Sequence, residues 1–148
     1  MINFQKILCP IDYSNCSMNA LTYAAELALK DAARLYLMYV KNECVSDYGG
    51  LKFDAEFDHN AETVTGMEQK LRSSISEEIR SCINVEMLIR VGVPFEEILK
   101  VARDKEVDLI VMGTHGRTGI THMVIGSVAE NVIRKAPCPV LCIRNNQI

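Results

Sequence analysis

Residues 107–144 read VDLIVMGTHGRTGITHMVIGSVAENVIRKAPCPVLCIR and contain one complete strand–helix–strand pattern. The apolar run at 109–112 predicts a buried strand, and the glycine-rich residues 113–126 predict a loop. Apolar residues then recur at helical spacing over 127–136, a proline follows, and a second apolar run occupies 139–143. A strand, a crossover helix and a second strand form the repeating unit of a parallel sheet.

The rest of the chain repeats this alternation. Strands are predicted at 6–12, 34–40, 84–91, 109–112 and 139–143. Helices are predicted at 17–33, at 61–81, from Pro94 onward and at 127–136, with a long polar loop at 41–60. Because the strands are short and almost continuously apolar, helices are expected on both faces of the sheet. The sequence therefore predicts a single doubly wound α/β domain over 1–148, built on a five-stranded parallel sheet.

Two helices have further signals. Ser14 or Ser17 can cap the start of the first, since a serine hydroxyl accepts a hydrogen bond from an unpaired N–H of the first turn. The helix predicted at 61–81 carries one apolar face, formed by Met67, Leu71, Ile75 and Ile79.

Composition excludes several function classes. The chain has 148 residues, 49% hydrophobic and 24% charged, with a net charge of −3, and it contains no basic block that would indicate nucleic-acid binding. No apolar run approaches the roughly 18 residues that cross a membrane. The first apolar run ends at Asp12, which is too early for a signal peptide. A cytoplasmic protein is expected.

The six cysteines do not indicate a disulfide framework or a metal site. They form no Cys-x-x-Cys pair and no zinc-like spacing with histidine. Cys9 and Cys142 fall inside apolar strands, where a reduced cysteine acts as a small hydrophobe.

The glycine-rich loop is the candidate site. It leaves a buried strand and opens a helix, a junction that lies at the carboxyl edge of a doubly wound sheet, where ligands bind. Glycines allow the backbone to approach an anion, the helix start offers unpaired N–H groups, and Ser127 adds a hydroxyl. The alternative is a glycine-rich loop without a ligand, since neither a Walker A loop nor a Gly-x-Gly-x-x-Gly pattern is present and the only fixed cation between 113 and 128 is Arg117.

The spacing Gly113-x2-Gly116-x9-Gly126-Ser127 resembles the nucleotide-binding signature of the universal stress protein family. The stretches KILCPIDYS (6–14), VGVPFEEILKVARDKEVDLIVMG (91–113) and 107–144 also resemble that family, so the resemblance covers nearly the whole chain. It implies the ATP-binding type and a sheet ordered 3-2-1-4-5. In that order the switch point lies between the first and fourth strands, beside Asp12 and Gly113.

The resemblance also implies the residues of the site. The adenosine side would be lined by Pro10, Ile11, Asp12 and Val40, with Met112 and Gly113 near the ribose. The phosphates would lie by His115, Gly116, Arg117, Gly126, Ser127, Val128 and Ala129. A Mg²⁺ or Mn²⁺ ion would bind through the phosphates, because no carboxylate cluster suggests a metal cage. Simpler roles stay open for four residues: Asp12 as an N-cap or turn residue, Val40 as core, His115 as a loop cap and Arg117 as a surface charge.

The function implied is that of an ATP-binding universal stress protein, a nucleotide-dependent regulatory module of the stress response. One alternative is a slow ATPase or phosphotransferase, for which only His115 and Asp12 are candidate catalytic groups and no dedicated base is recognisable. Another is a ligand-free dimeric scaffold. AMP and cyclic nucleotides are alternative ligands, and the protein partners are not specified by the sequence.

The last strand predicts self-association. Residues 139–143 are apolar and form an edge in the order 3-2-1-4-5, and an uncovered apolar edge favours pairing. A homodimer through 139–143 is therefore expected, as the family resemblance also implies. The alternative is that residues 144–148 cover this edge within a monomer.

Overall fold

The computed structural model describes residues 1–42, 62–116 and 125–145. For residues 62 and 63 it describes the backbone only. The elements follow one another as β1 (Lys6–Ile11), α1 (Asn15–Asp31), β2 (Arg34–Asn42), α2 (Glu62–Ser73), α3 (Glu77–Cys82), β3 (Asn84–Gly92), α4 (Pro94–Asp104), β4 (Leu109–Gly113), α5 (Ser127–Lys135) and β5 (Val140–Ile143). Within these ranges the five strands form one parallel sheet ordered β3-β2-β1-β4-β5, so the predicted fold class and strand order are confirmed. The predicted loop 41–60 lies outside the described residues from position 43, and residues 41–42 extend β2.

The sheet carries a hydrophobic core on each face because successive strand residues point to opposite sides. In β1, Ile7 and Cys9 face α1 and α2, whereas Leu8 between them faces α4 and α5. Helices thus cover both faces, as the apolar strands predict.

The strand order reverses at β1. Ile7 pairs with Leu35 of β2 on one side and with Leu109 of β4 on the other. The segments that follow β1 and β4 therefore leave the sheet side by side at its carboxyl edge, which is where doubly wound sheets bind ligands.

The first helix starts earlier than predicted. The Ser14 hydroxyl accepts a hydrogen bond from the Ser17 N–H at 3.2 Å, while the Ser17 hydroxyl donates to the Ser14 carbonyl at 3.0 Å. Ser14 is therefore the cap, and of the two candidate serines only the earlier one fixes the helix start.

The single helix predicted at 61–81 is wrong, because the chain forms α2 and α3 with a break between them. The hydroxyls of Ser73 and Ser74 both donate to the Lys70 carbonyl, at 2.8 and 3.1 Å, at the end of α2. Ser76 then takes an extended conformation and accepts from the Ile79 N–H at 3.3 Å, which starts a new helix. Serine hydroxyls compete with the helical backbone in this way. As a result, Ile79 is 41% exposed and does not continue the buried face of α2.

The amino edge of the sheet is tied together by one carboxylate. Asp108, just before β4, accepts hydrogen bonds from the backbone N–H of Gln5 at 2.8 Å and of Lys6 at 3.2 Å. We expect Asp108→Ala to lower the free energy of unfolding by about 1 to 2 kcal/mol, since two N–H groups lose a charged acceptor. Urea unfolding measures this loss. Asp104→Ala, at an exposed position in α4, is the control and should change stability by less than about 0.5 kcal/mol.

Candidate functional site

The segment after β1 lies against the glycine-rich segment after β4. Asp12 is half-buried, and its Oδ1 accepts a hydrogen bond from the Ser14 N–H at 3.0 Å. A Cβ atom built on Gly116 would stand 2.8 Å from Asp12 Oδ2. Glycine at position 116 therefore leaves room for the end of the Asp12 side chain beside the backbone. Tyr13, which follows Asp12 and precedes α1, has φ 66°, so the chain turns sharply after Asp12.

Gly113 brings the end of β4 against the first turn of α1. A Cβ atom at this position would lie 2.9 Å from the carbonyl carbon of Cys16, 3.0 Å from its Sγ and 3.0 Å from the backbone nitrogen of Ser17. The contact is mainly with backbone, which cannot move aside without displacing the helix. Glycine at 113 thus fixes the distance between β4 and α1.

Gly126, at the end of the glycine-rich segment, contacts the beginning of the same segment. Its N–H donates to the Thr114 carbonyl at 2.6 Å, and a Cβ atom on Gly126 would lie 3.0 Å from that oxygen and 3.6 Å from the Cα of His115. The two ends of the stretch 113–126 are therefore in direct backbone contact. This places the start of α5 beside His115.

The start of α5 has the properties of an anion site. Gly126 is its N-cap residue and has no side chain to accept the first-turn N–H groups. Ser127 is exposed at the first helical position, while Ala129 is buried and Val128 half-buried against the core beneath the helix. A helix N-terminus of this kind attracts anions through its unpaired N–H groups and its partial positive charge.

Several residues predicted at the site are buried. Pro10, Ile11 and Met112 lie in the sheet with buried side chains, so each can offer a ligand little beyond its backbone. Val40 is half-buried and packs against the core shared with α4 and α5. The predicted contact of Arg117 with phosphate concerns a position outside the described residues.

The cysteines in the described ranges are free thiols, as the sequence predicts for Cys9 and Cys142. Burial raises the pKa of the Cys9 thiol. Burial also raises the pKa of Cys142, and the neighbouring Cys16 adds to that rise. These groups are therefore protonated near neutral pH and are poor nucleophiles. Across residues 1–42, 62–116 and 125–145, no cluster of His, Cys, Asp or Glu side chains is arranged to hold a metal ion.

Comparison with known proteins identifies the family. The model of the universal stress protein family matches residues 3–144. The chain belongs to the universal stress protein family. The resemblance inferred from the glycine spacing is thereby confirmed.

Relatives and solved structures agree with this assignment. Universal stress protein MJ0531 of Methanocaldococcus jannaschii is 38% identical over 144 residues, which cover 95% of this chain and 82% of that protein. The structure of MJ0577, from the same organism, is 32% identical with a TM-score of 0.77 and covers 99% of this chain and all of its own. A universal stress protein of Archaeoglobus fulgidus solved in complex with dAMP is 25% identical, has a TM-score of 0.57, and covers 97% of this chain and 99% of its own.

Two residues of this universal stress protein domain were not found from the sequence. Thr114 is buried and contacts His115, Gly126 and Cys16, and Cys16 donates its S–H to the Ile143 carbonyl at 3.0 Å. A polar residue directly after a buried strand is a signal for Thr114. Cys16 has no comparable signal, because its partner carbonyl lies on β5 at the other end of the chain.

Of the described helices, none has both the length and the apolar character that a membrane crossing requires.

Proposed function

We propose that this protein binds ATP where β1, β4 and α5 meet, and that it acts as a nucleotide-dependent regulatory module. The main support for the proposal is the close packing around three glycines of the segment after β4. At Gly113, Gly116 and Gly126 a side chain would meet a neighbouring atom at 3.0 Å or less. Together they bring Asp12 and the start of α5 close to one backbone segment, which suits a ligand with both a polar nucleoside and an anionic tail.

The proposed contacts are assigned from where each residue lies relative to β1, β4 and α5. Asp12 would accept a hydrogen bond from ribose or base, and the backbone of Pro10, Ile11 and Met112 would line the adenosine with Val40. The phosphates would accept hydrogen bonds at the start of α5 and beside His115. The full proposed set is Pro10, Ile11, Asp12, Val40, Met112, Gly113, His115, Gly116, Arg117, Gly126, Ser127, Val128 and Ala129.

The relative from Archaeoglobus fulgidus supports an adenine nucleotide, since its structure was solved in complex with dAMP. We propose ATP as the ligand of this chain, with AMP and cyclic nucleotides as the alternatives to test. Mg²⁺ or Mn²⁺ would enter bound to the phosphates, because phosphate oxygens are good ligands for these hard cations.

Titration calorimetry tests the proposal directly. Purified protein, freed of bound nucleotide, is titrated with Mg-ATP, and the mixture is then analysed for ADP. Saturable binding with ATP intact is the expected result. Rapid appearance of ADP would favour an ATPase instead. Absence of binding by ATP, AMP and cyclic AMP alike would contradict the nucleotide proposal and favour a ligand-free scaffold.

We further propose one nucleotide-binding domain over 1–148, a cytoplasmic location, and a homodimer in which the β5 strands of two copies pair. The outer edge of β5 has no neighbouring strand among the described residues, and Leu141 on it is 37% exposed. Strand pairing would form backbone hydrogen bonds along this edge and bury apolar surface.

Leu141→Arg is expected to convert the dimer to a monomer. In a two-fold interface the substitution places two like charges close together, and each loses solvation. Light scattering coupled to size-exclusion chromatography measures the mass. Leu29→Arg, on the exposed face of α1 at a leucine that is 58% exposed, is the matched control and should leave the dimer intact. A dimer that survives Leu141→Arg would rule out pairing through β5.

A further inference from the structure

Ser17 is a buried polar residue whose hydroxyl lies beside the proposed site. It is 5% exposed, and its Oγ accepts a hydrogen bond from the Asp12 N–H at 3.3 Å. The same Oγ donates to the Ser14 carbonyl at 3.0 Å. We propose that Ser17 is a positioning residue, whose hydroxyl clamps the turn 12–14 and so orients the Asp12 carboxylate towards the nucleoside. The last step rests on the proposed function, whereas the orientation of the carboxylate is a property of the protein alone.

The direction of each hydrogen bond made by Ser17 Oγ is fixed by the partner atom. A backbone N–H only donates and a backbone carbonyl only accepts. Because the Asp12 N–H donates to Oγ, the single hydroxyl proton of Ser17 goes to the Ser14 carbonyl. That carbonyl also accepts the N–H of Met18 at 2.9 Å, which uses its second lone pair. The buried hydroxyl therefore both accepts and donates, and both of its partners belong to the turn that carries Asp12.

The two bonds of Ser17 hold the two ends of a short turn. The Asp12 N–H and the Ser14 carbonyl lie on either side of Tyr13, whose φ is 66°. Because one oxygen atom holds both groups, the Ser14 N–H is brought to Asp12 Oδ1, which accepts it at 3.0 Å. The Ser14 hydroxyl has a separate role, since it caps α1 by accepting the Ser17 N–H at 3.2 Å. Loss of the Ser17 hydroxyl therefore loosens the carboxylate, whereas loss of the Ser14 hydroxyl weakens the helix cap and leaves the backbone bond to Asp12 in place.

The second oxygen of the Asp12 carboxylate, Oδ2, faces the glycine-rich segment. It lies beside the backbone of Gly116, where an added Cβ atom would stand 2.8 Å from it. An ionised carboxylate only accepts hydrogen bonds, so its partner on a nucleoside is a donor, either a ribose hydroxyl or the amino group of adenine. A carboxylate that is already held in place binds such a donor without the entropic cost of ordering its side chain. Ser17 should therefore affect how strongly the site depends on that donor.

Hydrogen exchange of the Ser14 amide, followed by NMR of the nucleotide-free protein, tests the positioning. This N–H is bonded to Asp12, so its exchange rate reports on that bond. Exchange is expected to be at least about tenfold faster in Ser17→Ala, and within about threefold of the wild type in Ser17→Thr, which keeps the hydroxyl. Ser81→Ala is the matched control, because the exposed Ser81 hydroxyl also donates to the carbonyl three residues earlier, at 2.7 Å. Equal exchange in Ser17→Ala and in this control would overturn the proposal.

Nucleotide analogues test the consequence for binding. Each lacks one donor of ATP, since 2′-deoxy-ATP and 3′-deoxy-ATP lack a ribose hydroxyl and inosine triphosphate lacks the amino group of adenine. The wild type should bind at least one of them about tenfold more weakly than ATP, the size of one hydrogen bond to a charged group. Asp12→Asn should abolish that difference, because an amide nitrogen in place of Oδ2 cannot accept a hydrogen bond.

The same analogue distinguishes positioning from a general loss of stability. Ser17→Ala should reduce the difference in affinity to about threefold or less, because a loosened carboxylate binds the donor less well. Ser14→Ala, which removes the helix cap but keeps the backbone bond to Asp12, should keep the full difference. A full difference in Ser17→Ala, or equal binding of all four nucleotides by the wild type, would overturn the proposal. If the Ser14 amide responds as expected but no nucleotide binds, the positioning role stands and the proposed ligand is wrong.

Discussion

Gly126→Val is expected to weaken Mg-ATP binding by at least about a hundredfold. The backbone at Gly126, with φ −76° and ψ 162°, suits valine, so backbone strain is not the cause. The cause is contact, because a Cβ atom would lie 3.0 Å from the Thr114 carbonyl oxygen, and the two methyl groups of valine extend beyond it. Because this contact is with backbone, the Thr114 carbonyl and the start of α5 must shift apart by a few tenths of an ångström or more.

The size of the effect follows from the bonds that are lost. A phosphate bound at a helix start accepts charge-assisted hydrogen bonds, each contributing about 1.5 to 3 kcal/mol. Loss of two such bonds corresponds to a factor of a hundred or more in Kd. Calorimetric titration of the variant and the wild type under identical conditions measures the ratio.

Gly66→Val is the matched control for this substitution. Gly66 lies in α2, is exposed, and a Cβ atom there would meet nothing within 4 Å. The control should bind Mg-ATP within about twofold of the wild type, because it alters neither packing nor the site. Wild-type affinity in Gly126→Val, with a melting temperature equal to that of the control, would show that the nucleotide does not bind at the glycine-rich segment.

Sequence and structure agree best where the determinants are local. Short apolar strands alternating with amphipathic helices predict the parallel sheet, because hydrophobic periodicity depends on neighbouring residues only. The strand order needed the family resemblance, since no local pattern states which strands become neighbours. The helix predicted at 61–81 failed at Ser76, where a hydroxyl that is compatible with a helix interior instead caps a new helix.

The candidate site shows the same difference between local and long-range determinants. The sequence locates the glycines, but Gly113 and Gly116 contact a distant part of the chain, whereas Gly126 contacts the beginning of its own segment. Gly116 lies against the end of the Asp12 side chain, and Gly113 lies against the backbone of Cys16. The buried contacts of Thr114 with Cys16 and with Ile143 likewise join segments far apart in the chain, and no spacing rule predicts them.

Leu37→Ala is expected to lower the free energy of unfolding by about 2 to 5 kcal/mol. Leu37 is fully buried in β2, where it pairs with Cys9 of β1 and with Met87 of β3. Its removal leaves a cavity in the core beneath α1, bounded by strands that cannot collapse into it. Urea unfolding measures the loss. Leu29→Ala, at the leucine of α1 that is 58% exposed, should cost less than about 0.5 kcal/mol.

Leu37→Ala also shows whether a loss of folding stability affects nucleotide binding. Leu37 lies within the core, whereas the proposed nucleotide contacts the segments that leave the carboxyl edge of the sheet, so Leu37→Ala should change Kd by less than about twofold. ATP at a hundred times its wild-type Kd should then add about 2.7 kcal/mol to the stability of both the wild type and Leu37→Ala. Gly126→Val, with a Kd at least about a hundredfold higher, should gain no more than about 0.4 kcal/mol at that concentration. If Leu37→Ala lost the added stability while still folded, the site would depend on the packing of the core, and the glycine contacts alone would not account for binding.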